Sequence, residues 1–253
     1  MKKTIFCAAL ITALAMPAFA GTDLKDSKEL APPVPTSDSG VYVAVFGGAN
    51  LAQNYGNSRG SVSSGPLSET FNLNNSSDHV GAVGGLKVGY NFDSFAIGGD
   101  FRLQPAVEGE AFYLGTKTSN STSFDGENLS YKGTMDDAAF MVNGLVRLKT
   151  GTLFTPYVGA GIGFEYLNMS KVTLSSGPES FPLSDSNDVC FAMQAIAGFD
   201  IALTQHWTLF TEYKYITAFN PNFDGGSVTG ENFTYNADYI GQHLVTAGVK
   251  YNF

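Results

Sequence analysis

The sequence predicts an all-β fold: an eight-stranded antiparallel up-and-down barrel that crosses a lipid bilayer with its apolar face outward. Three observations predict it. From Gly40 to Phe253 the chain runs through eight segments of ten or more residues, each alternating in polarity. The connections between them are in turn short and long, which sets all the long loops at one end of a series of antiparallel hairpins. Beyond residue 20 no apolar run approaches the roughly 18 residues a membrane helix needs, although mean hydropathy is zero and only 15% of residues are charged. A net charge of −9 and a pI near 4.7 exclude a nucleic-acid binder, which needs a basic surface.

The first element is an export signal. Met1-Lys2-Lys3 is basic, Ile5 to Met16 is apolar, and Ala18-Phe19-Ala20 is an Ala-x-Ala cleavage site, so residues 1–20 are expected to leave and the mature chain to begin at Gly21. The apolar run is too short for an anchor helix, and Cys7 lies too early for a lipoprotein. Loss of Lys2 and Lys3 takes the net charge from −9 to −11. Cys190 is then the single cysteine, so no internal disulfide is expected. Residues 21–39 include Ala31-Pro32-Pro33-Val34-Pro35, show no hydrophobic period and read as an extended leader.

The predicted strands are 41–51, 79–92, 95–113, 135–148, 154–166, 188–202, 207–218 and 238–253. Short turns at Asp93-Ser94, Lys149 to Thr152 and Leu203 to His206 alternate with long Ser/Asn/Gly-rich stretches at 52–78, 114–134, 167–187 and 219–237. In the second strand Leu86, Val88, Tyr90 and Phe92 oppose Lys87 and Asn91. In the third, Phe95, Ile97, Phe101 and Leu103 oppose Asp100 and Arg102. Phe140, Val142 and Val146 then oppose Asn143 and Arg147. Val158, Ala160, Ile162 and Phe164 oppose Gly159, Gly161, Gly163 and Glu165. Phe191, Met193, Ala195, Ala197 and Phe199 oppose Gln194 and Asp200. Trp207, Leu209, Tyr213 and Tyr215 oppose Glu212 and Lys214. Val245, Ala247, Val249, Tyr251 and Phe253 oppose Gln242, Thr246, Lys250 and Asn252.

Alternation alone fits a soluble sandwich equally well. Two features favour the inside-out barrel. The polar face is rich in Gly, as a crowded narrow lumen requires. The apolar face ends in aromatics beside the short turns and the C-terminus, namely Phe92, Phe95, Phe199, Trp207, Tyr251 and Phe253, as an interfacial girdle does. Closure also satisfies every backbone group, which hydrocarbon demands. The inward charges expected are Lys87, Asp100, Arg102, Arg147, Glu165, Asp200, Glu212, Lys214 and Lys250. Bases and acids nearly balance, which suits an ion-paired plug, with a polar ion path as the alternative.

Residues 40–253 resemble the eight-stranded outer-membrane β-barrels of Gram-negative bacteria, the OmpA, OmpX and opacity-protein group. The resemblance rests on Thr155-Pro156-Tyr157-Val158-Gly159-Ala160-Gly161-Ile162-Gly163-Phe164 and on the terminal Val249-Lys250-Tyr251-Asn252-Phe253. The latter is similar to the terminal signal read by the barrel-assembly machinery, with Val249, Tyr251 and Phe253 as its alternate apolar positions. The resemblance implies an outer-membrane location, a leader and short turns in the periplasm, four surface loops, and contact with outer-membrane lipid and lipopolysaccharide. The sequence departs from OmpA in having no peptidoglycan-binding domain after the barrel, so cell-wall anchoring is not expected.

No catalytic, cofactor-binding or metal-binding residue is assigned. Some eight-stranded barrels modify lipid A, which needs a nucleophile or base. His243 is the best candidate, near Asp238 and Tyr239; as the bland alternative it is an interfacial histidine. His206 falls in a periplasmic turn and His79 at the outer rim. Cys190 reads as a small packed residue near the outer end of its strand, with a redox role as the alternative. Asp136-Asp137 and Asp185 with Asp188 sit at the outer rim without the spacing of a calcium loop, with divalent-cation binding alongside lipopolysaccharide phosphates as the alternative. Pro105 removes a ladder donor, so a bulge or the membrane boundary is expected there, with Glu108-Gly109-Glu110 above the bilayer. The function expected is a non-enzymatic surface barrel serving envelope structure, antigen display or adhesion to a host-surface ligand through its loops. The alternatives are a small pore for ions or solutes and a lipid A-modifying enzyme.

Overall fold

A computed structural model describes residues 39–253, apart from 65–66, 74–75, 78–79, 125–126, 177–178 and 229–230. The expected signal peptide, the leader up to residue 38, and His79 lie outside the described residues.

Eight long strands form the wall: β1 (Gly40–Tyr55), β5 (Gly81–Asn91), β7 (Phe101–Phe124), β8 (Glu127–Lys149), β9 (Phe154–Ser176), β11 (Ser186–Ala202), β12 (Trp207–Phe219) and β15 (Tyr239–Asn252). Each pairs antiparallel with its chain neighbour, and β15 returns to β1, pairing from Tyr42 opposite Asn252 to Tyr55 opposite Ile240 with a one-residue register shift between Asn50 and Ala52. The wall is therefore a closed barrel with no free edge in the ring. β5 and β12 alternate buried and exposed almost residue by residue, as the twofold period of a strand dictates. Val88, Val142, Val158 and Ile162 are more than half exposed, whereas Lys87, Glu165, Glu212 and Lys214 are 0–4% exposed. That inversion suits hydrocarbon outside and a polar interior. Phe46, Phe112, Met141, Phe210, Ile216 and Leu244 also point inward and pack as one cluster, so the lumen holds large apolar groups as well as charges.

Two expectations about the periplasmic side are corrected. The segment 95–113 is not one strand. β6 (Phe95–Gly98) folds back onto Phe101 to Leu103 through Gly98 and Gly99, with φ of 135° and 59°, a conformation that costs glycine little. Pro105 causes no bulge: it sits in register opposite Val146, and its carbonyl accepts from Phe92 N at 3.0 Å. The β5 ladder ends at Asn91 opposite Ala106, and Phe92 O, which an N–H at position 105 would have met, accepts from Gln104 Nε2 at 3.1 Å instead.

The long polar stretches are largely strand among the described residues. β7 and β8 pair continuously from the periplasmic end to Phe124 opposite Glu127. β10 (Glu179–Pro182) pairs with the outer end of β9. β2 (Ser58–Ser64), β3 (Leu67–Leu73), β13 (Asn222–Val228) and β14 (Glu231–Ala237) form a separate sheet in the order β13-β14-β2-β3, and β4 (Ser76–Ser77) pairs with β1. This outer sheet joins the first and last loops over the β15–β1 seam. Backbone bonds Ser184 N to Gly225 O at 3.1 Å and Asn220 N to Asp238 O at 3.0 Å tie the fourth loop to the third and to the wall.

Candidate functional site

The inward side chains build three layers. Near the periplasm, Arg147 Nε donates to Asp200 Oδ2 at 3.2 Å and Lys250 Nζ donates to the same oxygen at 2.5 Å. Arg147 also reaches Asn91 Oδ1 at 2.9 Å and Tyr42 OH at 3.3 Å, and its guanidinium lies 5.3 Å from the rings of both Tyr42 and Tyr157. Gly89 and Gly198 make room for those tyrosines: a Cβ on Gly89 would come 2.3 Å from Tyr42 Cζ, and one on Gly198 2.8 Å from Tyr157 Cζ.

In the middle layer Lys87 Nζ donates to Glu212 at 2.7 and 2.8 Å and to Glu108 at 3.1 Å. Lys214 Nζ bonds Glu110 and lies 3.4 Å from Glu212. Tyr42 OH donates to Glu108 at 2.8 Å and Tyr157 OH to Glu212 at 2.9 Å. Asn143 bridges Glu108 and Glu110, and Gln194 adds bonds to Glu110 and Asn143. Lys214 sits 4.1 Å over the Phe46 ring and Lys87 5.2 Å over Phe210. Each buried ammonium thus meets carboxylates on one side and aromatic faces on another, which offsets its desolvation. Across these two layers Lys87, Arg147, Lys214 and Lys250 face Glu108, Glu110, Asp200 and Glu212, a balanced set.

In the outer layer Gln242 Nε2 donates to both Asp137 Oδ2 and Glu165 Oε1 at 3.0 Å. Asn50 Nδ2 donates to Gln242 Oε1 at 3.2 Å and Thr116 Oγ1 at 3.3 Å. Above it Met135, Leu167, Met169, Cys190, Phe223 and Ile240 close into an apolar cluster beneath the crown.

Of the residues expected inside, the structure joins Lys87, Arg147, Asp200, Glu212, Lys214 and Lys250 through the two inner layers, and buries Glu165 apart from them in the outer layer. It does not bring Asp100 or Arg102 to them. Asp100 is exposed at the β6–β7 turn, and Arg102 binds Ser94 through Nε to Oγ at 2.6 Å and Nη2 to O at 2.9 Å at the periplasmic rim. The local turn overrides the parity that had aimed them inward. Glu108 and Glu110 are 2% and 4% exposed inside the barrel, not above the bilayer, and Asp137 is fully buried rather than at the rim surface. Glu108 and Glu110 share the parity of Asp100 and Arg102, so the alternation carried past Pro105 places them inside.

His243 lies on the outer surface, with Nδ1 2.6 Å from Tyr213 OH and its ring 4.8 Å from that of Tyr215. His206 stacks on Tyr251 at 5.5 Å, and Tyr251 also meets Trp207 and Phe253, each at 5.0 Å. Cys190 is buried, its Sγ 3.6 Å from Asp188 Oδ2.

A closed eight-stranded wall with apolar side chains outward and an ion-paired lumen defines a transmembrane β-barrel of the outer-membrane type. The chain belongs to the family described as outer membrane protein beta-barrel domain, whose model matches residues 6–253. This places it in the bacterial outer membrane as a multi-pass protein. It is 29% identical over 160 residues to outer membrane protein PagN of Salmonella typhimurium; the match covers 61% of this chain and 65% of that relative's length. Among solved structures it is similar to Neisserial surface protein A, with 16% identity, a TM-score of 0.39, and 85% of this chain and 99% of that chain covered. It is also similar to OprG of Pseudomonas aeruginosa, with 13% identity, a TM-score of 0.42, and 87% and 99% covered.

Proposed function

We propose that this chain is a non-enzymatic surface barrel: an envelope structural protein and surface antigen whose crown also serves adhesion to a host-surface ligand. One observation carries the reading. The outer segments are tied into sheets that continue or bridge the wall, so the barrel holds a rigid, ordered platform above the membrane. Rigid scaffolds presenting loops are the usual architecture of recognition surfaces. The lumen residues Lys87, Arg147, Asp200, Glu212, Lys214 and Lys250 act as an internal plug through their ion pairs, and Glu165 fills the outer layer beside Gln242, so the interior is filled rather than open. Residues 1–20 direct export and are cleaved after Ala20. Val249, Tyr251 and Phe253 form the signal for the barrel-assembly machinery, and the wall contacts lipid and lipopolysaccharide.

The test replaces each of the segments 58–73, 116–133, 170–185 and 222–237 by a short turn and measures attachment of expressing bacteria to cultured epithelial cells. At least one replacement is expected to abolish attachment while surface display of the barrel persists. Attachment unchanged by all four replacements would reject adhesion. Lipid A mass spectra unaltered by expression are expected, and an altered acyl pattern lost in His243→Ala would overturn the non-enzymatic reading.

A further inference from the structure

The two inner layers are charge-balanced, and the outer layer is not. Asp137 and Glu165 are both 0% exposed, and among the described residues neither lies in an ion pair with a lysine or arginine. A single neutral amide nitrogen, Gln242 Nε2, stands between them at 3.0 Å from each. Each carboxylate leaves its second oxygen, Asp137 Oδ1 and Glu165 Oε2, without a partner. Two buried, unpaired carboxylates remain ionised only where a positive charge joins them; otherwise a proton neutralises one of them.

A separate observation points the same way. Asn50 is also 0% exposed, its carboxamide lies against that of Gln242, and its Oδ1 has no partner. Asn50 Oδ1, Asp137 Oδ1, Glu165 Oε2, Gln194 Oε1, Asp200 Oδ1 and Thr246 Oγ1 are the buried side-chain atoms left unpartnered among the described residues, and all are oxygens. The interior has oxygens to spare, and in the outer layer no lysine or arginine among the described residues pairs with the two carboxylates.

We infer that Asp137, Glu165 and the Gln242 carboxamide oxygen form a calcium site at the outer end of the lumen, with Asn50 supporting it. Turning the Gln242 amide over exchanges Nε2 for Oε1 between the two carboxylates, without change of shape. The displaced Nε2 then faces Asn50, and the same turn of Asn50 offers it Oδ1, so the unpartnered oxygen gains its donor. The cation meets only oxygen ligands and a local charge of −2, which selects a hard divalent ion. Calcium tolerates the irregular geometry that ligands on β8, β9 and β15 provide, whereas magnesium demands a near-ideal octahedron.

The experiment uses the full mature barrel, refolded without lipopolysaccharide in zwitterionic micelles at neutral pH. Calcium chloride is titrated by calorimetry, and the thermal midpoint is read with calcium and with EGTA. One-to-one binding is expected, with the midpoint rising by about 5–10 °C at calcium one hundred times Kd. Asp137→Asn/Glu165→Gln is expected to abolish both and, in EGTA, to melt no lower than the parent; Asp93→Asn, an exposed control, is expected to leave both unchanged. If the double variant fails to refold, Glu165→Gln alone is expected to weaken binding at least tenfold. No heat and no shift up to about 10 mM calcium, above the range of extracellular calcium modules, would overturn the site. So would a response that survives Glu165→Gln undiminished.

Discussion

Glu212 is the residue on which the middle layer converges, and Glu212→Gln probes that layer with minimal change of shape. Its carboxylate accepts Lys87 twice, at 2.7 and 2.8 Å, accepts Tyr157 OH at 2.9 Å, and lies 3.4 Å from Lys214. Removing one partner of a buried ion pair costs about 3–5 kcal/mol, chiefly because the other charge is left uncompensated. Here Lys87 keeps Glu108 at 3.1 Å and Lys214 keeps Glu110, so the loss falls near the lower end, at about 3 kcal/mol. Adding Lys87→Met restores the balance of charge and is expected to couple with Glu212→Gln by at least about 1 kcal/mol. Trp207 is the one tryptophan and is about half exposed at the periplasmic girdle, so its emission during equilibrium urea unfolding from lipid vesicles reports the transition. A cost below about 0.5 kcal/mol, the ordinary range for surface substitutions, would refute the view that these charges are a paired internal core.

Three further outcomes follow from the same geometry. Val142→Lys places a charge on the outward face beside Gly109 and Ile162, and is expected to cost about 2–4 kcal/mol in lipid vesicles. Gly89→Ala drives a Cβ to within 2.3 Å of Tyr42 Cζ and is expected to lose about 1–3 kcal/mol by displacing the ring that binds Glu108 and Arg147, as read by urea titration. Asp200→Ala removes the carboxylate that Arg147 and Lys250 share and is expected to cost about 3–5 kcal/mol, whereas Asp100→Ala at the exposed turn stays within about 0.5 kcal/mol in the same titration.

The barrel wall was legible because bilayer and lumen impose opposite demands on alternate residues. Lys87 between Leu86 and Val88, or Glu212 and Lys214 flanking Tyr213, can have only one arrangement on a strand whose other face meets lipid. Parity failed where local geometry interrupted it. Gly98 and Gly99 turn the chain before Asp100, and nothing in the alternation of 95–103 reveals a hairpin that short. Pro105 neither bulges nor ends the strand, because the Gln104 side chain gives Phe92 O the donor that proline lacks, a substitution no sequence pattern reveals. The strands of the crown are invisible in the sequence because Ser/Thr/Asn-rich strands carry no apolar period; their register is inherited from the ladder below. The inward rings of Tyr42 and Tyr157 were hidden for a different reason: their place follows from the glycines facing them across the ladder, Gly89 and Gly198, a pairing visible only once register is known.

The lumen of this barrel is filled, not open, and single-channel recording of the refolded barrel in planar bilayers is the decisive test. The packed ion pairs and the apolar cluster above them predict a silent membrane at moderate voltage, with Glu212→Gln giving at most brief, irregular events. Large, stable openings from the parent protein would contradict the claim and make the barrel a pore.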